Sequence, residues 1–242
     1  MHKLLLATLA LLGSAAPVSA ATVELLANGD FETGTFAGWT VNTQENGSGD
    51  WFIATPGETL PLSGAPTARN PAGGSFYAVS DQTGPGANVL LQDFTVPFDA
   101  ASVGLTFQMF VNDWSDLGPL VAPEGLDYTA EPNQHVRVDI LAADADDFAT
   151  GTGVIANLYL DVDEGADPNE YTSYVFDLSP FLTAGQTYRI RFAEVDNQFF
   201  LNQGVDNVSI LADVAQVPEP AALGLAGLGL LGSVGLRRRK TA

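Results

Sequence analysis

Cysteine is absent from all 242 residues, so no disulfide, thiolate metal site or cysteine nucleophile can operate, and stability must come from core burial. Basic residues are nearly as scarce. Lysine occurs only at Lys3 and Lys240, and histidine only at His2 and His135. Between residues 21 and 216 the cations are Arg69, Arg137, Arg189 and Arg191, set against 28 of the 29 acids, so this stretch carries a net charge of −24. A field of that sign repels nucleic acid and anionic lipid headgroups, which argues against either as a partner, and it favours solubility and loose cation uptake. A solvated acidic surface is the simplest account of most of these side chains. Also missing are a Gly-x-Ser-x-Gly elbow, a His-Glu-x-x-His pair and a phosphate loop. His135 stands beside Arg137 in a predicted strand, where a structural role is expected. With so many acids, carboxylate pairs of the kind that hydrolyse glycosides arise by chance and carry no weight. The chain is therefore expected not to be an enzyme.

Each end of the chain carries an apolar run. At the N-terminus His2 and Lys3 precede Leu4 to Leu12 and then Val18-Ser19-Ala20, with small residues at the cleavage positions. This pattern predicts a secretory signal peptide over residues 1–20, cut after Ala20. At the C-terminus Val217-Pro218-Glu219-Pro220 runs into the uncharged segment Ala221 to Leu236 and then into Arg237-Arg238-Arg239-Lys240. As a helix, 221–236 rises about 24 Å, close to the roughly 30 Å hydrocarbon core, and is predicted to span a membrane. The basic cluster holds its end of the span in the cytoplasm. Pro218 and Pro220 keep the preceding residues extended and accessible.

The order of Pro218, Glu219 and Pro220, an apolar span, and Arg237, Arg238 and Arg239 resembles the PEP-CTERM sorting signal of Gram-negative bacteria over residues 217–242. The resemblance implies processing by an exosortase-type enzyme, with transient residence in the inner membrane through the C-terminal span. The processed protein would then lie at the cell surface, in the outer envelope or in the extracellular matrix. A C-terminal anchor that is never cut is the alternative, and both place residues 21–216 outside the cytoplasm.

Residues 21–216 suit one domain. Segments of strand character alternate there with Gly, Pro, Asn and Asp punctuation, and no long helix is indicated. Strands are predicted at 23–26, 39–43, 51–55, 75–80, 89–96, 103–111, 135–141, 154–160, 172–178, 188–194 and 205–211. Alternation is clearest from Leu105 to Val111 and from Tyr188 to Phe192. In the second, Arg189 and Arg191 share one face while Tyr188, Ile190 and Phe192 share the other. So many short strands predict an all-β sandwich of two sheets of jelly-roll type, with a barrel as the alternative.

Asn28-Gly29-Asp30-Phe31-Glu32-Thr33-Gly34, followed by Phe36 and Gly38-Trp39, resembles the opening of galactose-binding-like jelly rolls related to carbohydrate-binding modules. Gly204-Val205-Asp206-Asn207-Val208-Ser209-Ile210 resembles their closing strand. The resemblance implies a structural calcium pinning the first strand to the last, with Glu32 and Asp206 at the matching positions. Two carboxylates distant in sequence can meet around such an ion only if the terminal strands are neighbours, with backbone carbonyls completing six to eight oxygens. The alternative is that both carboxylates accept hydrogen bonds from turn amides. A second acidic stretch, Asp161 to Glu170, fails the EF-hand pattern and reads as a solvated hairpin loop, as do Asp144, Asp146 and Asp147.

Glycan recognition is the function this resemblance raises. Such sites use flat aromatic faces and nearby polar side chains. Trp114 opens a long irregular stretch running to Gln134 and is the first candidate ligand-binding residue; Tyr128, in the same stretch, is the second. An aromatic in such a loop is more often a plug that folds the loop onto the body. Trp39 and Trp51 are expected in the core, and Arg189 and Arg191 are expected to pair with surrounding acids. The expected function is a non-catalytic binding module for exopolysaccharide or another glycan. The alternatives are a structural or adhesive matrix protein without a glycan ligand and, less favoured, a carboxylate-dependent glycan-active enzyme.

Overall fold

In a computed structural model, the described residues are 20–65, 71–115, 117–163, 165 and 167–215. The predicted signal peptide up to residue 19 lies outside them. So does the predicted span 221–236, with Pro218, Glu219, Pro220, Arg237, Arg238 and Arg239. No helix among the described residues is long and apolar enough to cross a membrane.

Eleven strands follow one another: β1 (Ala20–Glu24), β2 (Thr40–Thr43), β3 (Asp50–Ala54), β4 (Tyr77–Asp81), β5 (Gly86–Thr95), β6 (Ala100–Asp113), β7 (Gln134–Ala142), β8 (Val154–Asp161), β9 (Thr172–Asp177), β10 (Thr187–Asp196) and β11 (Leu201–Ala215). Each overlaps a predicted strand. They form two sheets, one ordered β3-β4-β11-β6-β9 with β1 also on β11, the other β2-β5-β10-β7-β8. The result is an all-β two-sheet sandwich, consistent with a jelly roll. Thr22–Val214 is one compact unit.

Side-chain alternation builds the core. Val103, Leu105, Phe107, Met109 and Val111 of β6 face Tyr188, Ile190 and Phe192 of β10 across the sheets, and the Phe107 and Phe192 rings meet edge to face with centroids 5.2 Å apart. Trp39 and Trp51 are buried in the same cluster. The outer faces are also partly covered. On the second sheet Val89, Leu91, Ala193 and Val195 are capped by Leu126, Tyr128 and Phe148 from the long connections. On the first, Tyr77, Val79 and Phe110 are capped by Leu60, Tyr171 and Phe200. Double-sided burial explains why β4 and β7 are buried at nearly every position rather than at every second one.

The opening and closing motifs interlock. The register of β11 on β6 shifts between Asp206 and Ser209, and Asn207 takes a φ of 51° within that irregularity. Asn tolerates this conformation, and the displaced backbone lets Val208 N–H donate to the Gly29 carbonyl at 2.8 Å. A Cβ on Gly29 would collide with the Val208 carbonyl oxygen, so only glycine permits the approach.

Candidate functional site

Glu32 and Asp206 are brought together by this interlock, on one short segment preceding β4. Glu32 Oε1 accepts from the amides of Ser75 (2.7 Å) and Phe76 (2.9 Å). Asp206 Oδ2 accepts from Gly73 N–H at 3.0 Å, and its Oδ1 from Asn207 N–H at 2.7 Å. Burial pushes the Asp206 carboxyl up to about 6; amides of Gly73, Asn207 and Ala72 oppose the rise and the charge of Glu32 adds to it. The two carboxylates therefore sense one another while capping the same turn. Carboxylate oxygens suit calcium and not a soft metal, while the partners these two have here are backbone amides. Among the described residues no group of three or more His, Cys, Asp or Glu is placed to hold a metal, so backbone oxygens would have to complete any shell.

Arg137, Arg189 and Arg191 are committed to acids. Arg191 donates to Asp139 through Nε (3.1 Å) and Nη2 (2.5 Å), and through Nη1 to the Asp147 carbonyl (2.7 Å). Arg137 holds the same Asp139 in a two-pronged contact at 2.8 and 2.7 Å. Arg189 bridges Asp93 (2.6 Å) and Asp147 (2.7 Å) at a recess of about 260 Å³. His135 is buried, and desolvation pushes its pKa down to about 4, leaving a neutral ring whose Nδ1 lies 3.2 Å from the Leu120 carbonyl. It is expected to be uncharged at neutral pH.

Trp114 and Tyr128 are not brought together. The half-buried Trp114 ring lies 6.5 Å from that of Phe200, and its amide donates to the Phe200 carbonyl at 3.0 Å. Tyr128 fastens the long connection to the β2–β3 turn: its amide donates to Gln44 Oε1 (3.1 Å) and its hydroxyl to the Glu45 carbonyl (3.3 Å).

A larger opening lies at one end of the sandwich. A cleft of about 420 Å³ sits between the β4–β5 connection, Gln82 to Pro85, and the β10–β11 connection, Asn197 to Phe200. Phe199 is 60% exposed on it, whereas Gln82 and Asp196 are buried in its wall. Gln82 Nε2 donates to Asp196 Oδ2 at 2.8 Å and to the Leu201 carbonyl. Burial pushes Asp196 up to about 6, against bonds from Gln82 and the amides of Gln198 and Leu201. Behind the cleft the space between the sheets turns polar. Glu194 accepts from Ser80 Oγ and, at 3.3 Å, from Asn88 Nδ2. Desolvation pushes its pKa up to about 8. Sequence reasoning missed this region, because Gln82 and Phe199 are 117 positions apart in the chain and meet only through the sheet order. Two adjacent phenylalanines within Asn197-Gln198-Phe199-Phe200 are the one local signal that could have found it.

One family matches the chain, the PEP-CTERM protein-sorting motif, over residues 216–240; the predicted segment was 217–242. No curated protein matches. Similar solved structures include TmCBM61 in complex with β-1,4-galactotriose, at 13% identity and a TM-score of 0.48, covering 78% of this chain and 97% of that one. The K3 cleaved adhesin domain of Lys-gingipain from Porphyromonas gingivalis is 15% identical, with a TM-score of 0.47 and coverage of 79% and 99%. A Stig cyclase from Fischerella sp. TAU is also 15% identical, with a TM-score of 0.45 and coverage of 81% and 100%.

Proposed function

We propose that the protein is an exported cell-surface or matrix component whose sandwich binds a glycan, without catalysis, in the end cleft. The observation that carries this reading is the cleft itself: an exposed Phe199 face beside Gln82, Asp196, Asn197 and Gln198. A flat ring for stacking, beside side chains that accept or donate hydrogen bonds, is the arrangement that sugars require. Trp114 enters this reading as the ring that backs Phe200. The sorting motif supports delivery: an exosortase-type enzyme would process residues 216–240 after the C-terminal span had held the chain transiently in the membrane. Phe199→Ala is expected to weaken retention on immobilised exopolysaccharide about tenfold, with Trp114→Ala producing a smaller loss. Unchanged retention in Phe199→Ala would remove the cleft from the reading, and an absence of binding to any polysaccharide would favour an adhesive matrix protein.

Calcium belongs to the same proposal, at Glu32 and Asp206. Its role would be structural, tying the opening segment to β11, because the unfolded chain cannot gather both carboxylates. Added calcium is expected to raise the melting temperature of the purified chain and EDTA to lower it. Asp206→Asn should lose most of that difference. Identical melting curves with calcium and with EDTA would leave the two carboxylates as turn caps alone.

A further inference from the structure

The cleft has a chemical bias that the glycan reading does not specify. Among the described residues no side chain lining it is cationic, so the donors that Asp196 has there, the Gln82 amide and the amides of Gln198 and Leu201, are all neutral. The Gln82 amide is oriented by its donor end, since both partners of Nε2, Asp196 Oδ2 and the Leu201 carbonyl, can only accept. Its Oε1 is left buried without a partner, although Gln82 is only 1% exposed and lines the cleft. A buried carbonyl oxygen of this kind costs free energy until a donor reaches it. What this oxygen lacks is a hydrogen-bond donor, in a cleft that a carboxylate, Asp196, and the exposed Phe199 also line. A ring face, a carbonyl oxygen and a carboxylate together are what an ammonium group prefers. A neutral hydroxyl would satisfy Gln82 but leave Asp196 uncompensated, and a uronate or sulfate would oppose both Asp196 and a body carrying −24.

Resting on the glycan reading, we propose that the cleft selects an amine-bearing sugar, a hexosamine unit lacking its N-acetyl group, whose ammonium donates to Gln82 Oε1 and pairs with Asp196 while the sugar lies on Phe199. The selection is electrostatic and local, so it differs from diffuse attraction of a polycation to an acidic surface.

The test is calorimetric titration of the full-length chain with three oligosaccharides of equal length, a β-1,4-glucosamine tetramer, its fully N-acetylated form and a uronate tetramer, at physiological ionic strength. The glucosamine tetramer is expected to bind about tenfold more tightly than the N-acetylated one, and the uronate not at all. Asp196→Asn should reduce that preference to about threefold or less, while Phe199→Ala, at an exposed position that does not disturb folding, should weaken both. Equal binding of the first two overturns the selectivity and leaves the glycan reading standing. Binding of none overturns both. Glucosamine binding that is unchanged in Phe199→Ala overturns the cleft as its site, even if Asp196→Asn fails to fold.

Discussion

Asp139→Ala is expected to cost about 3–5 kcal/mol of stability, because it leaves two buried guanidinium groups without their shared acid. Asp139 and Arg191 sit directly opposite in the β7–β10 register, both fully buried, and Arg137 approaches the same carboxylate from its own strand. Asn157 Nδ2 adds a further donor to Asp139 Oδ1 at 2.8 Å. Burial would raise the Asp139 carboxyl, but the Arg137 hydrogen bonds and the Arg191 charge hold it below the usual carboxylate range. A lowered folded value contributes stability that is present above the unfolded value near 3.8 and is lost only as pH falls through the folded one. The loss in Asp139→Ala should therefore be fully visible at neutral pH, as a fall of about 2 M in the urea midpoint. A midpoint within about 0.3 M of the parent chain would show that water or neighbouring acids replace Asp139 without cost. Removing all three charges together, with Leu at 139 and Met at 137 and 191, is expected to restore most of the stability, since desolvation and attraction nearly cancel in such a triad.

That triad also marks how far periodicity reaches. The alternation in Tyr188 to Phe192 correctly separates Arg189 and Arg191 from the core face, yet it cannot say that the opposite face is itself covered. Burial there comes from Leu126 and Phe148, which arrive from connections with no regular pattern. The same limit shortens the strands. Leu201-Asn202-Gln203-Gly204 opens β11 but lacks apolar alternation, so the predicted strand begins only at residue 205. In the folded chain Asn202 and Gln203 are buried, and a local pattern of polarity has no means of signalling a polar interior. The opening and closing motifs were legible for the opposite reason: Gly29 and Asn207 meet backbone demands that few other residues satisfy, and such demands are local. That motif also singles out Glu32 and Asp206, whose carboxylates both accept from amides of the segment preceding β4. The cleft was not legible in this way, because its walls are contributed by two hairpin ends whose proximity depends on the order of strands in both sheets.

The polar interior behind the cleft leads to the second large effect, a stability that falls as pH rises. Glu194 is fully buried, among the described residues no cation pairs with it, and its carboxyl holds a proton up to about 8. In the unfolded chain the same group ionises near 4.5. Between these values the unfolded state binds fewer protons than the folded one, so folding loses about 1.4 kcal/mol for each pH unit, on the order of 4–5 kcal/mol across the window. Asp196, raised from 3.8 to about 6, acts in the same direction at lower pH. Glu194→Gln keeps the shape and the bond to Ser80 without a charge to desolvate. Urea midpoints of the parent chain are expected to fall steadily from pH 5 to pH 8, whereas those of Glu194→Gln should fall much less. The two proteins should differ little at pH 5, and the variant should be the more stable by several kcal/mol at pH 8. A parent chain as stable at pH 8 as at pH 5 would require a cation or water within reach of Glu194, and would make the inner end of the sandwich a place where ions enter.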